Sequence, residues 1–363
     1  MTVVFAGGGT GGHLYPAIAI ADALRERRAT IAFIGTADRL EATIVPNAGY
    51  PLYAIASRSL SRALSFDFFR TVASNLKGTF QSLRLLAAQR PDLVIATGGY
   101  VCFPVALAAR IRRMLRLSRA SLVLLEPNAA PGLTNRLLAP IVDEVWVPPY
   151  AAPQASAKYR VTGIPVRATL RALPRRDDAI ARLGLDPSLR TLVAMGGSQG
   201  ARSINDAAIA LVRERGLPPG WQLFALTGSS DFERVRTELP NARPYLDDMA
   251  DAYAVADLVL ARAGASTLGE LAALGKPAIL VPYPYAAEGH QDANAARFVA
   301  ANAAVVLSDA QLQSGGLPSL LAQTVEPQRL SGLAEGAARW VGADAIAAIL
   351  ARIDLLTSRR ENA

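Results

Sequence analysis

The consecutive residues Gly7, Gly8, Gly9, Thr10, Gly11, Gly12 and His13 place a hydroxyl and an imidazole in a run of glycine. Gly7, Gly9 and Gly12 have the G-x-G-x-x-G spacing of a turn that seats a dinucleotide pyrophosphate on a helix N-terminus. That reading also needs an acid at the end of the second strand, to hold ribose hydroxyls. The second strand ends in Gly35 and Thr36, and Asp38 comes only after it, so a nicotinamide oxidoreductase fits poorly. What remains is a set of backbone N–H groups at Gly11 and Gly12 suited to an anion or to sugar hydroxyls, with Thr10 and His13 beside them. Glycine's tolerance of positive φ explains a tight strand–helix turn, but three successive glycines followed by a further pair exceed that need. The chain has two histidines, His13 and His290. A general base near neutral pH is most simply a histidine. Glu126 is the other candidate, provided an apolar setting raises its pKa.

Positioning such residues requires a scaffold, and the hydrophobic pattern supplies one. Continuous apolar runs (TVVFAG, ATIAFIGT, PDLVIATGG, ASLVLLEPN, DEVWVPP) alternate with helical patterns, the signature of a parallel sheet covered on both faces. The scheme restarts at residue 190 with RTLVAMGGSQGARSINDAAIALV, again strand, glycine-rich turn and helix. Two doubly wound Rossmann-like α/β domains facing a cleft are expected, residues 1–163 and 164–340, with a C-terminal helix within 341–363 crossing back to complete the first. Ligands in such sheets sit outside the carboxyl ends of the strands. The single cysteine, Cys102, excludes an internal disulfide or a cysteine metal cage. No secretory leader precedes the first strand and no run of ~18 apolar residues could span a bilayer, so a cytoplasmic location is expected.

The segments GGGTGGHLYPAIAIADAL, GTADRLEATIVP, TGGYVCFP, GLTNRLLAP, GGSQGARSIN, YLDDMADAYAVAD and RAGASTLGELAALGKPAILVPYP follow one another in that order. Over roughly residues 1 to 300 the chain thereby resembles the MurG family. These are peripheral membrane enzymes that transfer N-acetylglucosamine to the lipid-linked muramyl-pentapeptide of peptidoglycan synthesis. The resemblance implies the type B glycosyltransferase fold and an inverting hexosyltransferase at the cytoplasmic face of the inner membrane. It implies UDP-N-acetylglucosamine in the second domain, the lipid-linked acceptor in the first, and no cofactor or metal. On the donor side, Ser198 in the second glycine-rich turn and Arg167 match diphosphate positions. The backbone of Leu246 matches the uracil position. Ala265, Ser266, Thr267, Leu268, Gly269 and Glu270 lie where a strand gives way to a helix. There the Glu270 carboxylate can accept both ribose hydroxyls, although a first-turn glutamate favoured by the helix dipole would look the same. Gln291 matches a position for the sugar hydroxyls and Asn128 a binding position in the first domain. Cell-wall synthesis proteins are candidate partners.

Several positions depart from the family pattern. Its HEQN is Leu125-Glu126-Pro127-Asn128 here, its linker GNP is Gly163-Ile164-Pro165, and Cys102 takes a place often held by serine. The donor motifs are largely intact, so doubt falls on acceptor geometry and rate. A type B transferase for another glycolipid or aglycone, and a non-catalytic UDP-sugar-binding homologue, are the alternatives.

Charge is unevenly spread. Residues 1–165 hold 18 Lys/Arg against 9 Asp/Glu, whereas the remainder is almost neutral. Basic surfaces suit nucleic acid or anionic membrane, but no aromatic platform or reading helix supports nucleic acid. Residues 64–86 interleave Phe66, Phe69, Leu76 and Phe80 with Arg70, Lys77 and Arg84. Residues 109–119 surround Ile111, Met114, Leu115 and Leu117 with five arginines. Both read as amphipathic surface helices that dock on anionic inner-leaflet lipids. An ordinary helix packing its apolar face on the sheet is the competing reading, and the basic first half favours docking.

Overall fold

The computed structural model describes residues 1–59, 66–151, 156–197, 200–246, 248–286, 289–340 and 344–358. The chain divides into two compact units, Met1–Arg167 with Ala343–Ala363, and Ala168–Gly342. The first unit therefore keeps the linker as far as Arg167, four residues beyond Gly163, and the 3₁₀ turn Ala168–Leu170 opens the second.

In the first unit seven parallel strands form one sheet: β1 (Thr2–Ala6), β2 (Thr30–Gly35), β3 (Leu52–Ala54), β4 (Leu93–Ala96), β5 (Ser121–Leu125), β6 (Glu144–Val147) and β7 (Tyr159–Val161). Their order is β3-β2-β1-β4-β5-β6-β7. Helices α1 (Gly11–Glu26), α2 (Glu41–Asn47), α3 (Phe66–Gln89), α4 (Cys102–Met114) and α5 (Leu133–Leu138) lie between them. Alternate residues of each strand enter opposite cores, as a period of two demands. Val3, Phe5, Phe33 and Ile95 pack towards α1, and Val4, Ala6, Val94 and Ala96 towards α4. The final helix, Ala345–Ser358, buries Ile346, Ile349, Leu350 and Ile353 in the α1-side core. Its Arg352 also pairs with buried Glu144, which accepts a 2.9 Å hydrogen bond from the Trp146 indole.

The second unit holds a six-stranded parallel sheet of β8 (Arg190–Met195), β9 (Trp221–Leu226), β10 (Ala242–Arg243), β11 (Ala256–Ala261), β12 (Ala278–Leu280) and β13 (Ala304–Val306). Its order is β10-β9-β8-β11-β12-β13. The helices are α6 (Arg176–Leu183), α7 (Arg202–Arg213), α8 (Phe232–Val235), α9 (Ala250–Val255), α10 (Ala265–Ala273), α11 (His290–Ala300), α12 (Asp309–Gln313), α13 (Leu317–Thr324) and α14 (Pro327–Arg339); the final helix of the first unit is α15. In each unit the order reverses at one place, between β1 and β4 or between β8 and β11. The connections there leave in opposite directions and open a crevice at the strand ends.

One expected helix is shorter than its pattern. Residues 109–119 were expected to be helical throughout, but α4 stops at Met114 and Arg116 is left-handed at φ 56°. The Leu117 N–H reaches back to the Arg112 carbonyl at 2.8 Å. This is the six-to-one bond of a Schellman stop, with arginine where glycine is usual.

Candidate active site

Both glycine-rich segments leave the carboxyl end of a strand at the reversal point. In the first unit, β1 ends at Ala6 and Gly9 turns the chain with φ +84°. Thr10 is the extended N-cap of α1, and its hydroxyl does not cap the helix. The first turn of α1 carries no acid, so the positive end of the helix faces the strand end unneutralised. Gly11, Gly12 and half-buried His13 form that turn.

His13 packs against the loop that follows β4. A Cβ on Gly98 would lie 2.5 Å from His13 Nδ1, and Gly98 has φ +106°. A Cβ on Gly99 would lie 2.5 Å from the Gly8 carbonyl oxygen. The two glycines after β4 thus admit the imidazole and the neighbouring loop together. Beneath them the Cys102 Sγ donates to the Ala6 carbonyl at 3.0 Å and accepts from the Gly98 N–H at 3.1 Å. Burial pushes this thiol up to about 12, so Cys102 is a packing group and not a nucleophile. Two residues beyond His13, the Tyr15 ring carries the Arg167 guanidinium 4.7 Å from its centroid. Arg167, expected with the donor groups of the second domain, is held by the first unit beside α1.

Glu126 and Asn128 follow β5, which lies beyond β4 in the sheet. Glu126 is 3% exposed. Its Oε1 accepts the Asn128 N–H (2.9 Å) and side-chain amide (3.0 Å), and its Oε2 accepts the Asn135 amide (2.7 Å). Burial raises its carboxyl above the usual carboxylate range, and these donors, with the Gly132 N–H, oppose that rise without cancelling it. A carboxylate saturated in this way organises the 127–135 loop and sets the orientation of Asn128. Leu125, at the family's histidine position, is fully buried in the sheet.

In the second unit the turn after β8 is as constrained. A Cβ on Gly196 would lie 2.1 Å from the Ala201 nitrogen, and one on Gly200 2.3 Å from the Thr227 carbonyl oxygen. Gly197 and Gly200 both have positive φ. Ser198 lies outside the described residues. Ala201 is the N-cap of α7, which has neither a side-chain cap nor an acid in its first turn. From the adjacent strand, Gly264 leads into α10 in the same way. Ala265, Ser266 and Thr267 form its first turn, Ser266 and Thr267 partly exposed, while Ala265, Leu268 and Gly269 are buried. Glu270 is 9% exposed and its Oε2 accepts the Tyr253 hydroxyl at 2.6 Å. That bond orients the carboxylate on the helix face. Gln291 sits in the first turn of α11, and its Oε1 accepts the Tyr283 N–H at 2.9 Å, which leaves its NH2 as the donating end. Leu246 follows β10, half-buried.

The two units thus gather two separate groups: Thr10, Gly11, Gly12, His13 and Arg167 in the first, and the 196–200 turn, the start of α10 and Gln291 in the second. Three contributors are missing from the sequence reading. Gly98 carried a signal, since a TGG after a strand is a turn. Arg262 did not. It follows β11 directly, is nearly buried, and ties the Ser203 hydroxyl at the start of α7 (2.9 Å) to Asp309 (2.6 Å). Glu41, completely buried, accepts the Gly9 N–H; an acid six residues past Gly35 was legible, but only Asp38 is near enough to the strand to match the dinucleotide pattern.

Residues 3–147 match the N-terminal domain of glycosyltransferase family 28, and residues 191–339 match its C-terminal domain. The chain belongs to glycosyltransferase family 28. Curated relatives of this family 28 chain include proteins of Halothermothrix orenii and Chlorobium luteolum. The first is 38% identical over 93% of this chain and 94% of the relative, the second 40% over 97% and 98%. Both are named UDP-N-acetylglucosamine–N-acetylmuramyl-(pentapeptide) pyrophosphoryl-undecaprenol N-acetylglucosamine transferase. Among solved structures, Acinetobacter baumannii MurG superposes with a TM-score of 0.75 at 27% identity, covering 97% of this chain and 99% of that one. The calicheamicin glycosyltransferase CalG4, at 16% identity and a TM-score of 0.70 over 99% and 98% of the two chains, shares the fold.

Proposed function

We propose that the chain transfers N-acetylglucosamine from UDP-N-acetylglucosamine to the 4-hydroxyl of the muramyl sugar on undecaprenyl-pyrophosphoryl-MurNAc-pentapeptide. Relatives of near-full length carry this activity in their names. The observation that carries the mechanism is the pair of uncapped helix N-termini, α7 and α10, at the reversal point of the second sheet. Such termini bind a diphosphate through N–H groups and stabilise the charge that grows on it as the sugar leaves. The Ser198 hydroxyl adds to that stabilisation. Glu270 holds the ribose hydroxyls, the Leu246 backbone the uracil and Gln291 the sugar hydroxyls, while Asn128 is a binding residue of the first unit. His13, through Nε2, the ring nitrogen farther from Gly98, takes the proton from the acceptor hydroxyl. The hydroxyl oxygen attacks the anomeric carbon opposite the departing UDP and inverts it. Glu126 serves by fixing the loop of Asn128. UDP release from UDP-N-acetylglucosamine, measured with and without the lipid-linked acceptor, tests the reading. Release that does not depend on the acceptor, or no release, overturns it.

The acceptor's polyprenyl chain stays in a bilayer, and α3 supplies the surface that meets it. No described helix is long and apolar enough to cross a membrane. α3 is inside out as far as Ser82: Thr71, Asn75, Thr79 and Ser82 are buried, while Phe69, Leu76 and Phe80 are 68%, 54% and 67% exposed; only its last turns pack leucines inward, Leu86 among them. The buried polar groups are satisfied. Asn75 bonds Ser57 and both backbone groups of Arg58, and Gln81 accepts the Ala56 N–H. An ordinary helix would pack its aromatic face inward, so the outward stripe has another use. Met114, Leu115 and Leu117, each more than 60% exposed, project at the end of α4, which packs beside α3. Lys77, Arg84, Arg116 and Arg119 are exposed among them. Each basic residue near an anionic leaflet contributes about 1 kcal/mol. Arg113 pairs with Asp143 and Arg112 holds the Leu117 carbonyl, so the informative reversals are Lys77→Glu, Arg116→Glu and Arg119→Glu. The triple variant should lose sedimentation with vesicles containing anionic lipid and keep UDP binding; sedimentation at the wild-type level removes this face from docking.

A further inference from the structure

We infer that Glu41 is a positioning residue for the transfer: its carboxylate ligates the first glycine loop from inside and so holds His13 where it meets the acceptor. The inference rests on the reading of His13 as the base. Glu41 is the first residue of α2 and is 0% exposed. Its Oε2 accepts the Gly9 N–H at 2.9 Å. Its Oε1 accepts the Thr36 N–H at 3.0 Å and the Thr36 hydroxyl at 2.6 Å. The loops around it are cut to its shape. A Cβ on Gly8 would fall 2.3 Å from Oε1, and one on Gly35 2.8 Å from the Glu41 Cγ. A buried carboxylate persists only where donors replace its lost water, and here those donors come from the loops after β1 and β2.

Two consequences follow. The loop N–H that a phosphate would seek is already bonded to an internal anion, so Gly9 offers no phosphate seat. The task left to Gly9 is mechanical. Gly9 is the positive-φ joint between β1 and α1, and His13 lies one helical turn beyond it. Clamping that joint sets where α1 begins, and with it the depth at which the imidazole rests on Gly98.

Glu41→Gln tests this with little change of volume, because it turns one acceptor oxygen into an NH2 facing N–H or O–H donors. Misplacement of a catalytic group by an ångström or less costs roughly 10- to 100-fold in rate, and a kcat loss in that range is expected for folded Glu41→Gln. The UDP dissociation constant, read by calorimetry, should stay within about twofold, since the donor groups lie on the other unit. Thr36→Val, which removes one donor and keeps both N–H links, should lower kcat in the same direction by less. A purely structural Glu41 would lower the melting temperature and leave kcat per folded molecule unchanged. That result overturns the inference, and if Glu41→Gln does not fold, a wild-type kcat in Thr36→Val overturns it. His13→Ala is measured alongside. Wild-type kcat there removes the base reading and this inference with it; a loss there with normal kcat in both other variants removes only the role of Glu41.

Discussion

The two units build the same strand, glycine turn and helix, and they finish it differently. After β1 the turn is closed from inside, with Glu41 on the Gly9 N–H and Gly98 against His13. α1, α7 and α10 alike start with no side-chain cap and no acid in the first turn; what differs is that the loop before α1 has the Glu41 carboxylate on one of its N–H groups. An N–H cluster that carries its own carboxylate presents a side chain; one without a carboxylate presents its dipole to a ligand's anion. The glycine pattern is therefore a statement about backbone geometry, and the proposed difference in role between the two turns rests on the carboxylate that only the first is seen to carry.

The largest effect that would break this comparison is expected at His13. General-base catalysis is worth about 100-fold or more, so His13→Ala should lower kcat by that much while calorimetric UDP affinity stays near wild type. An imidazole base must be neutral to act, so the wild-type rate should fall on acidification and the residual rate of His13→Ala should lose that limb. Retention of most of kcat would hand the proton to another group.

Gly98→Ala attacks the same side from the neighbouring loop. A methyl placed 2.5 Å from Nδ1 must push the imidazole aside, and a positive φ is strained for alanine. A loss of roughly 10- to 100-fold in kcat is expected, with the UDP dissociation constant unchanged. An unaltered kcat would show that the imidazole does not need its seat.

On the donor side, Glu270→Ala removes a carboxylate that would accept charge-assisted bonds worth about 1.5–3 kcal/mol each. UDP affinity should fall at least about tenfold by calorimetry. Unchanged affinity would take Glu270 out of the donor site and leave it as the anchor of Tyr253.

The smallest effect sharpens the comparison most directly. Ala201→Asp gives α7 the side-chain cap it lacks, and such caps stabilise by about 0.5–2 kcal/mol. The melting temperature should rise, and UDP affinity should fall, because the new carboxylate competes for the N–H groups the diphosphate needs. Tighter or equal UDP binding would show that α7 does not receive the diphosphate.

Much of the fold was legible because it is local. Buried parallel strands are continuous apolar runs and their helices repeat at 3.6 residues, so two doubly wound sheets follow from periodicity alone. The junctions at Ala265–Glu270 and Gly196–Gly200 were legible for the same reason, each a strand end running into a helix start, whereas a donor role for them was implied by the family resemblance. By itself the sequence also determined where an imidazole could act, since it contains only His13 and His290.

Tertiary structure decided what depends on distance between segments far apart in the chain. Whether Glu41 points at solvent or at Gly9 is set by the packing of α2 on the sheet, 32 residues from the loop it ligates. Arg167 lies beside Tyr15 because the first unit extends through it, a boundary that composition blurs. Glu126 is a candidate base by type, and only the tertiary structure brings Asn128 and Asn135 to donate to its buried carboxylate. The inside-out α3 is the clearest case. Its pattern is amphipathic with either face inward, and it is the loop carrying Ser57 and Arg58 that satisfies Asn75 and leaves Phe69 and Phe80 in the open. Periodicity says that a helix has two faces, but which of them is buried depends on what the rest of the chain brings against it.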